Sequence, residues 1–397
     1  MNILSINKAD KVGGAAEVAC SLNHGLQARG HQVNMFVCDK TTNDPRVFKI
    51  PRPKWLFYLS HLLGTDIDLF NTDYILETEE FKQADIIHCH NLHGHYFNLT
   101  TLVKMSKLKP VVWTLHDLWA STPYCSHSLS GKISDGFYEC PSMASRSWVK
   151  QHNQTYLRSK KTKLYSELKV NLVAPSLWLA NKIKAGILGQ QPLAVIHNGV
   201  DLAKFSKQDK IKTRIELNLP QDLKIVLLAA SGGKDNIWKG WDYAHQVFAA
   251  FTDRPEVLFL CLGGKADRQA PDNVIFVDYI AEQTLLAKYF SASDIFLLTS
   301  TAESFALVVI EAMAASLPVV SWPVGVVAEV IEHQVNGYVA QYLNISDLVN
   351  GLEYFLKTNQ GEQPKILSDN QNKLTGDYSE KTMIDKYEKL FTDLTVK

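Results

Sequence analysis

Short runs of consecutive apolar residues alternate along the whole chain with longer stretches that carry the helical period. The runs at 2–6, 33–38, 85–88, 110–115 and 171–174 are too short for helices and lack polar alternation, as strands buried on both faces do. Stretches with helical period fit between them at 15–29, 98–108 and 176–185. A strand at 193–196 leads into His197, Asn198, Gly199, Val200 and Asp201, after which polarity rises from Lys204 to Asp222. The pattern then restarts, with strands at 224–230, 256–261, 274–277, 294–298 and 318–321 and helices near 239–251, 282–290, 305–315 and 345–357. This alternation predicts an α/β chain of two doubly wound, Rossmann-like domains in series.

The rise in polarity puts the boundary near residue 200, giving an N-terminal domain over 1–200 and a C-terminal domain over 201–375. Residues 376–397 keep a helical period at Met383, Tyr387, Leu390, Phe391 and Leu394, which predicts a closing helix packed back toward the N-terminal domain. The stretch 118–168 is the least regular, aromatic and serine-rich before it turns basic.

With 397 residues, 46% of them hydrophobic and 21% charged, the chain has the composition of a two-domain globular protein, which excludes a disordered or fibrous one. The 41 basic and 41 acidic side chains cancel, which argues against a general nucleic-acid binder. The cancellation is not local. Residues 1–190 hold 22 of the basic and 15 of the acidic side chains, so a charge of +7 in the first half meets −7 in the rest. The first half therefore favours an anionic partner.

The N-terminus reaches Lys8, Asp10 and Lys11 after a short apolar run, unlike a signal peptide, and no apolar run is long enough to span a membrane. A cytoplasmic protein is expected. Aromatic and basic residues from Trp148 to Lys169 add the expectation of a peripheral contact with the inner face of a membrane. The six cysteines are scattered and form no CxxC pair, which speaks against a disulfide framework.

Chemistry concentrates in a few stretches. Ser300 to Met313 runs from the end of an apolar strand into an apolar helix. Backbone N–H groups of Ser304, Phe305, Ala306 and Leu307 at the helix start would receive a phosphate. Glu303 stands at that mouth, and Glu311, about two turns on, is expected near the same helix face. Gly232, Gly233, Lys234, Lys239 and Gly240 follow the first strand of the second domain, where glycines admit a ligand to the backbone and two lysines can bracket a diphosphate. Gly13 and Gly14 follow the first strand of the chain without the GxGxxG spacing of a dinucleotide fold. His116 and Asp117 lie at the C-terminal end of a strand, where open α/β sheets bind ligands.

Other patterns are read as structural. His88, Cys89, His90, His93 and His95 are dense in metal-ligand types, yet strand alternation turns Cys89 away from His88 and His90. Cys125, His127 and Cys140 could supply three ligands but form no closed tetrahedral spacing, so no metal is expected. Asp66 and Asp68 form a DxD that reads as a surface turn.

The glutamate pair, the Lys234–Lys239 segment, Gly13–Gly14, His116 and the Asn198 to Asp201 linker together resemble retaining glycosyltransferases of the GT-B fold, family GT4. The run from His116 to Trp119, with Cys125 and Cys140 downstream, is similar to the bacterial exopolysaccharide and colanic-acid branch, although that branch is richer in cysteine. The resemblance implies two Rossmann-like domains facing across a cleft that closes on substrate, and a hexosyltransferase that needs no cofactor or metal. It implies Lys239 on the donor diphosphate, with Lys234 where the family usually has arginine. It implies Glu303 on the transferred sugar, Glu311 on the ribose, Gly14 against the diphosphate, His116 near the sugar, and the base near Asp278, Tyr279 and Ile280. The acceptor, a carbohydrate or lipid-linked hydroxyl, would bind the first domain, with His90, His93 and Asp117 as candidates; the donor would be a UDP- or GDP-sugar. The alternatives are a relative that hydrolyses or epimerises a nucleotide sugar, and a non-catalytic sugar-binding module.

Overall fold

The computed structural model describes residues 1–11, 13–140, 153–229, 236–263, 271–357, 370, 374 and 376–396. They form two compact units, Met1–Gly199 with Glu380–Lys397, and Val200–Ser379.

In the first unit the strands are β1 (Asn2–Ala9), β2 (Gln32–Asp39), β3 (Val47–Lys49), β4 (Ile86–Cys89), β5 (Val111–Thr114), the small hairpin β6 (Ile133–Ser134) and β7 (Phe137–Tyr138), then β8 (Asn171–Ala174) and β9 (Leu193–Val195). All but the hairpin join one parallel sheet in the order β3-β2-β1-β4-β5-β8-β9. Every residue of β4 and β5 is buried, the two-sided burial that their unbroken apolar runs predict. The helices are α1 (Gly14–Ala28), α2 (Lys54–Leu63), α3 (Glu79–Gln83), α4 (Leu99–Leu108), α5 (Gln154–Tyr165) and α6 (Leu177–Ala185). Side-chain caps start several of them, Asn98 on α4 and Ser176 on α6 among them.

The second unit carries α7 (Lys210–Glu216), β10 (Lys224–Ala229), α8 (Trp241–Ala249), β11 (Val257–Leu262), β12 (Val274–Val277), α9 (Gln283–Ala292), β13 (Ile295–Leu298), α10 (Leu307–Ala314), β14 (Val319–Ser321), α11 (Val327–Val330), β15 (Gly337–Val339) and α12 (Ile345–Lys357). Its sheet is parallel throughout, in the order β12-β11-β10-β13-β14-β15. The polar stretch from Lys204 to Asp222 contains α7, held by Arg214, which donates to four backbone carbonyls and to Asp294.

The last helix, α13 (Glu380–Thr395), belongs to the first unit. It buries Met383, Ile384, Tyr387 and Phe391, and the Tyr387 hydroxyl lies 2.9 Å from that of Thr114 at the end of β5. Gly25 lets α1 approach it, because a Cβ there would collide with Ile384. Arg29 and His31 pair with Asp385 and Glu388 along the same contact.

The region 40–84 held more structure than its pattern suggested, namely β3, α2, α3 and a 3-10 turn at Asp73–Glu77. These elements are short, and a few residues do not establish a period. Asp66 corrects another expectation. It is 3% exposed rather than on a surface turn, and a carboxylate oxygen accepts from the Gly94 N–H at 3.4 Å. Cys125 and Cys140 are joined in a disulfide, their Cα atoms 5.8 Å apart, which the scattered spacing did not suggest. The β6–β7 hairpin turns the chain back on itself and brings them together, and as a disulfide they have no thiolate to offer a metal.

Candidate active site

In the second sheet β10, β11 and β12 run outward in one direction, and β13, β14 and β15 run outward in the other. The order therefore reverses between β10 and β13, and the segments that follow these two strands flank the crevice where open α/β sheets take ligands. Lys239 follows β10 and Glu303 follows β13. Their side chains meet there, Lys239 Nζ donating to Glu303 Oε1 at 2.7 Å, both largely enclosed.

Local structure holds this pair in place. Lys239 ends a 3-10 turn, Ile237–Lys239, and Gly240 follows it in the left-handed conformation at φ 64°. A Cβ on Gly240 would collide with the carbonyl oxygen of Thr299, so only glycine lets the turn lie this close to the end of β13. Thr299 Oγ1 donates to Lys239 O at 3.0 Å and the Thr301 N–H to Trp238 O at 2.8 Å, which stitches the two segments together. On the far side, the Val326 N–H donates to Phe305 O at 2.9 Å, and Gly325 at φ 55° allows that approach.

The helix after Glu303 begins later than its sequence implies. Ala306 adopts φ 72°, and α10 starts only at Leu307. Ser304, Phe305 and Ala306 thus form a loop that precedes the helix, and Glu303 does not share a helix face with Glu311. The turn of the chain at Ala306, a left-handed residue that is not glycine, is the reason. Glu311 is a buried residue of α10, 9% exposed. Tyr279, 69% exposed, and the half-buried Ile280 follow β12 at the same edge of the sheet. Gly233 and Lys234 lie outside the described residues.

The first sheet reverses between β1 and β4. After β1, Gly13 stands at φ 99° before α1, with no heavy atom within 4 Å of where a Cβ would be. Gly14 opens the helix. Asp10 fixes this edge by accepting from the N–H and hydroxyl groups of both Thr41 and Thr42. Burial opposes the ionised form of Asp10, yet these donors outweigh it and lower the pKa.

At the ends of β4 and β5 the histidines gather. His88 Nε2 lies 2.8 Å from Thr114 Oγ1, and His90 Nδ1 lies 2.9 Å from His116 Nε2. Burial holds all three rings neutral, driving His88 to about 3, His116 to about 4 and His90 well below its ordinary value. His93 behaves oppositely. Burial would lower it too, but Asp117, 2.9 Å from its Nε2, outweighs burial and raises the pKa. Asp117 is lowered in turn, His93 overcoming the cost of burial, and its second oxygen accepts from the Trp119 N–H at 2.8 Å. A small cavity is lined by His90, His93, His116, Asp117, Trp113 and Trp119.

Lys161 was not singled out in the basic run, yet it is fully buried. Its Nζ donates to Trp119 O at 2.7 Å and Thr122 O at 2.9 Å and sits 3.8 Å over the Trp119 ring. The sequence did hold the signal: Leu157, Lys161 and Leu164 fall at i, i+4 and i+7, on the core face of α5. Among the described residues no group of three or more His, Cys, Asp or Glu is arranged to hold a metal, and no helix is long and apolar enough to cross a membrane.

Residues 12–204 match the family model described as Glycosyltransferase Family 4, and residues 209–374 that described as Glycosyl transferases group 1. The chain belongs to the glycosyltransferases. Among known proteins this glycosyltransferase is similar to the putative colanic acid biosynthesis glycosyl transferase WcaC of Escherichia coli, at 24% identity over 84% of this chain and 85% of that one. It is also similar to the alpha-monoglucosyldiacylglycerol synthase of Acholeplasma laidlawii, at 23% identity over 78% and 76%. The structure of Anabaena HepE in complex with UDP and glucose superposes with a TM-score of 0.69 at 19% identity, covering 99% of this chain and 100% of that one. The fold is GT-B, as the two Rossmann-like sheets led one to expect.

Proposed function

We propose that this glycosyltransferase moves a hexose-type sugar from a UDP- or GDP-sugar to a hydroxyl of a glycan or lipid-linked acceptor, with retention at the anomeric carbon, in the synthesis of a bacterial surface polysaccharide. The observation that carries the reading is the Lys239–Glu303 pair at the reversal point of the second sheet. A cation and a carboxylate set 2.7 Å apart in that crevice suit a sugar diphosphate, whose charge and hydroxyls need one of each. The name of the colanic-acid relative supports the polysaccharide role, that of the diacylglycerol relative a lipid acceptor, and the UDP and glucose of HepE a nucleotide-sugar donor.

In this reading the second unit holds the donor. Lys239 faces the diphosphate beside the segment Ser304 to Leu307. Glu303 takes hydroxyls of the sugar, Glu311 those of the ribose, and Tyr279 and Ile280 flank the base. In the first unit Gly13 and Gly14 let a ligand approach the backbone, and His116, His90, His93 and Asp117 are the groups proposed to take sugar and acceptor hydroxyls. The acceptor oxygen bonds to the anomeric carbon on the face from which the diphosphate leaves. The bond from that carbon to the diphosphate breaks with its electrons going to the leaving group, which also takes the acceptor proton. Lys239 stabilises the charge that develops there.

A panel of UDP-, GDP-, ADP- and TDP-sugars, followed by release of free nucleotide, tests the reading. Turnover of a UDP- or GDP-hexose is expected, with the anomeric configuration of the product equal to that of the donor by NMR. Inversion would overturn the mechanism, and no turnover of any donor would overturn the activity.

A further inference from the structure

A second cavity opens at the other end of the second sheet, where its strands begin. Lys224 starts β10 and Asp294 immediately precedes β13, and both line the cavity, so the two strands that lead to Lys239 and Glu303 also set out from here. Lys207, Lys210, Ser291 and Ser316 complete its polar wall. Its volume is about 40 Å³, room for about three waters or one phosphoryl group.

The charges on this wall do not cancel. Asp294 is already saturated: Lys210 Nζ donates to one of its oxygens, Arg214 to the other at 2.8 Å, and the Ile225 N–H adds a bond at 2.7 Å. Lys207 and Lys224 form no ion pair with any described residue. The C-terminal ends of α9, α10 and α12 reach the same wall, and at about −0.5 each they still leave the four cations roughly one and a half charges in excess. Burial lowers the pKa of Lys210, and although Asp294 opposes this, repulsion from Arg214 and Lys224 adds to it. A bound anion would relieve that repulsion.

A hydroxyl is held in the cavity at a conformational cost. Ser316 follows the C-terminus of α10 at φ 67°, a left-handed position where glycine is the usual residue. Its Oγ is buried and bonds to no described residue. Ser291 Oγ accepts from the Gln208 N–H at 3.2 Å and donates to no described residue, so it too keeps a proton to offer.

We infer that this cavity binds a phosphoryl group, that of inorganic phosphate or of a phosphomonoester whose remainder projects through the mouth, with Lys207, Lys210 and Lys224 as counter-charge and Ser291 and Ser316 as hydroxyl donors. Ammonium groups on flexible stems meet phosphate as point charges, and hydroxyl donors orient its oxygens. A metal cation is a poorer occupant, since three ammonium groups repel it. Phosphate binding is read without turnover, so this site stands or falls separately from the transfer reaction.

The test is isothermal titration calorimetry of the full chain with inorganic phosphate and with glucose 6-phosphate, at constant ionic strength in chloride. The wild type is expected to bind both, and the tighter of the two names the source of the phosphoryl group. Phosphate could also enter the crevice of Lys239, so Lys239→Ala is titrated in parallel and should retain the binding. Lys207→Ala and Lys224→Ala combined should weaken it about tenfold or more with an unchanged melting temperature. Ser316→Gly suits the left-handed backbone, so it should keep or raise the melting temperature of the free protein and still weaken phosphate several-fold. No binding by the wild type, or equal binding by wild type and the double lysine variant, would overturn the proposal. Binding lost in Lys239→Ala and kept in the double variant would overturn it as well, by moving the phosphate to the crevice.

Discussion

Lys239 and Glu303, 64 residues apart in the chain, form an ion pair of 2.7 Å at the point where the second sheet reverses its strand order. If the pair addresses the donor, removing either member should cost turnover more than affinity, because the charge on the diphosphate grows as the bond to the sugar breaks. Lys239→Ala and Glu303→Ala are each expected to lower kcat about 10²–10³-fold. The double variant should fall little further, since the two act as a unit. Near-normal turnover in either single variant would remove the pair from the chemistry.

Glu311 is buried on α10, apart from the loop that carries Glu303. A ribose role predicts that Glu311→Gln raises the donor KM about tenfold with little change in kcat, as expected for loss of binding common to ground and transition states. Titration calorimetry with the free nucleoside diphosphate should record the same loss. An unchanged affinity would place the ribose elsewhere.

Asp117 raises the pKa of His93, so the imidazolium is stabilised in the folded protein relative to the unfolded chain. The stability from this pair is fully present below the unfolded histidine pKa of about 6.5 and is lost as pH rises through the higher folded value. Asp117→Asn should bring the His93 titration down, followed by NMR of the ring protons, and should erase that part of the decline in melting temperature. A His93 titration that does not move in the variant would contradict the pairing.

Lys161 has the opposite sign. Burial lowers its pKa to about 7, although Asp66 and Asp117 oppose the shift. The unfolded chain binds the proton more tightly, so stability should rise with pH between about 7 and the unfolded value of about 10.4, at up to ~1.4 kcal/mol per pH unit. Lys161→Met should flatten that rise in denaturant melts taken across the range. An identical slope in wild type and variant would mean that the ammonium is not desolvated.

The periodicity of apolar residues is a local property and carried most of the architecture. Strand β12 falls at Val274–Val277 as its run implied, and α12 at Ile345–Lys357. The short elements between β2 and β4 were hidden because a few residues do not establish a period. Glu303 and Lys239 could be named from their neighbours in the chain, but the separation of Glu303 from Glu311 could not. It depends on Ala306 turning left-handed, a conformation held by what surrounds it, with Val326 bonded to Phe305.

By itself, then, the sequence determined two parallel α/β sheets, which follow from patterns over neighbouring residues. Tertiary structure alone decided which residues meet. It set Lys239 against Glu303, placed Asp117 on His93 while leaving His116 and His90 neutral, buried Lys161 out of a basic run, and joined Cys125 to Cys140. The physical reason is the same in each case. Charge pairing, desolvation and exposure depend on distances across strand crossovers and helix contacts, and those are fixed only when the sheets close their order.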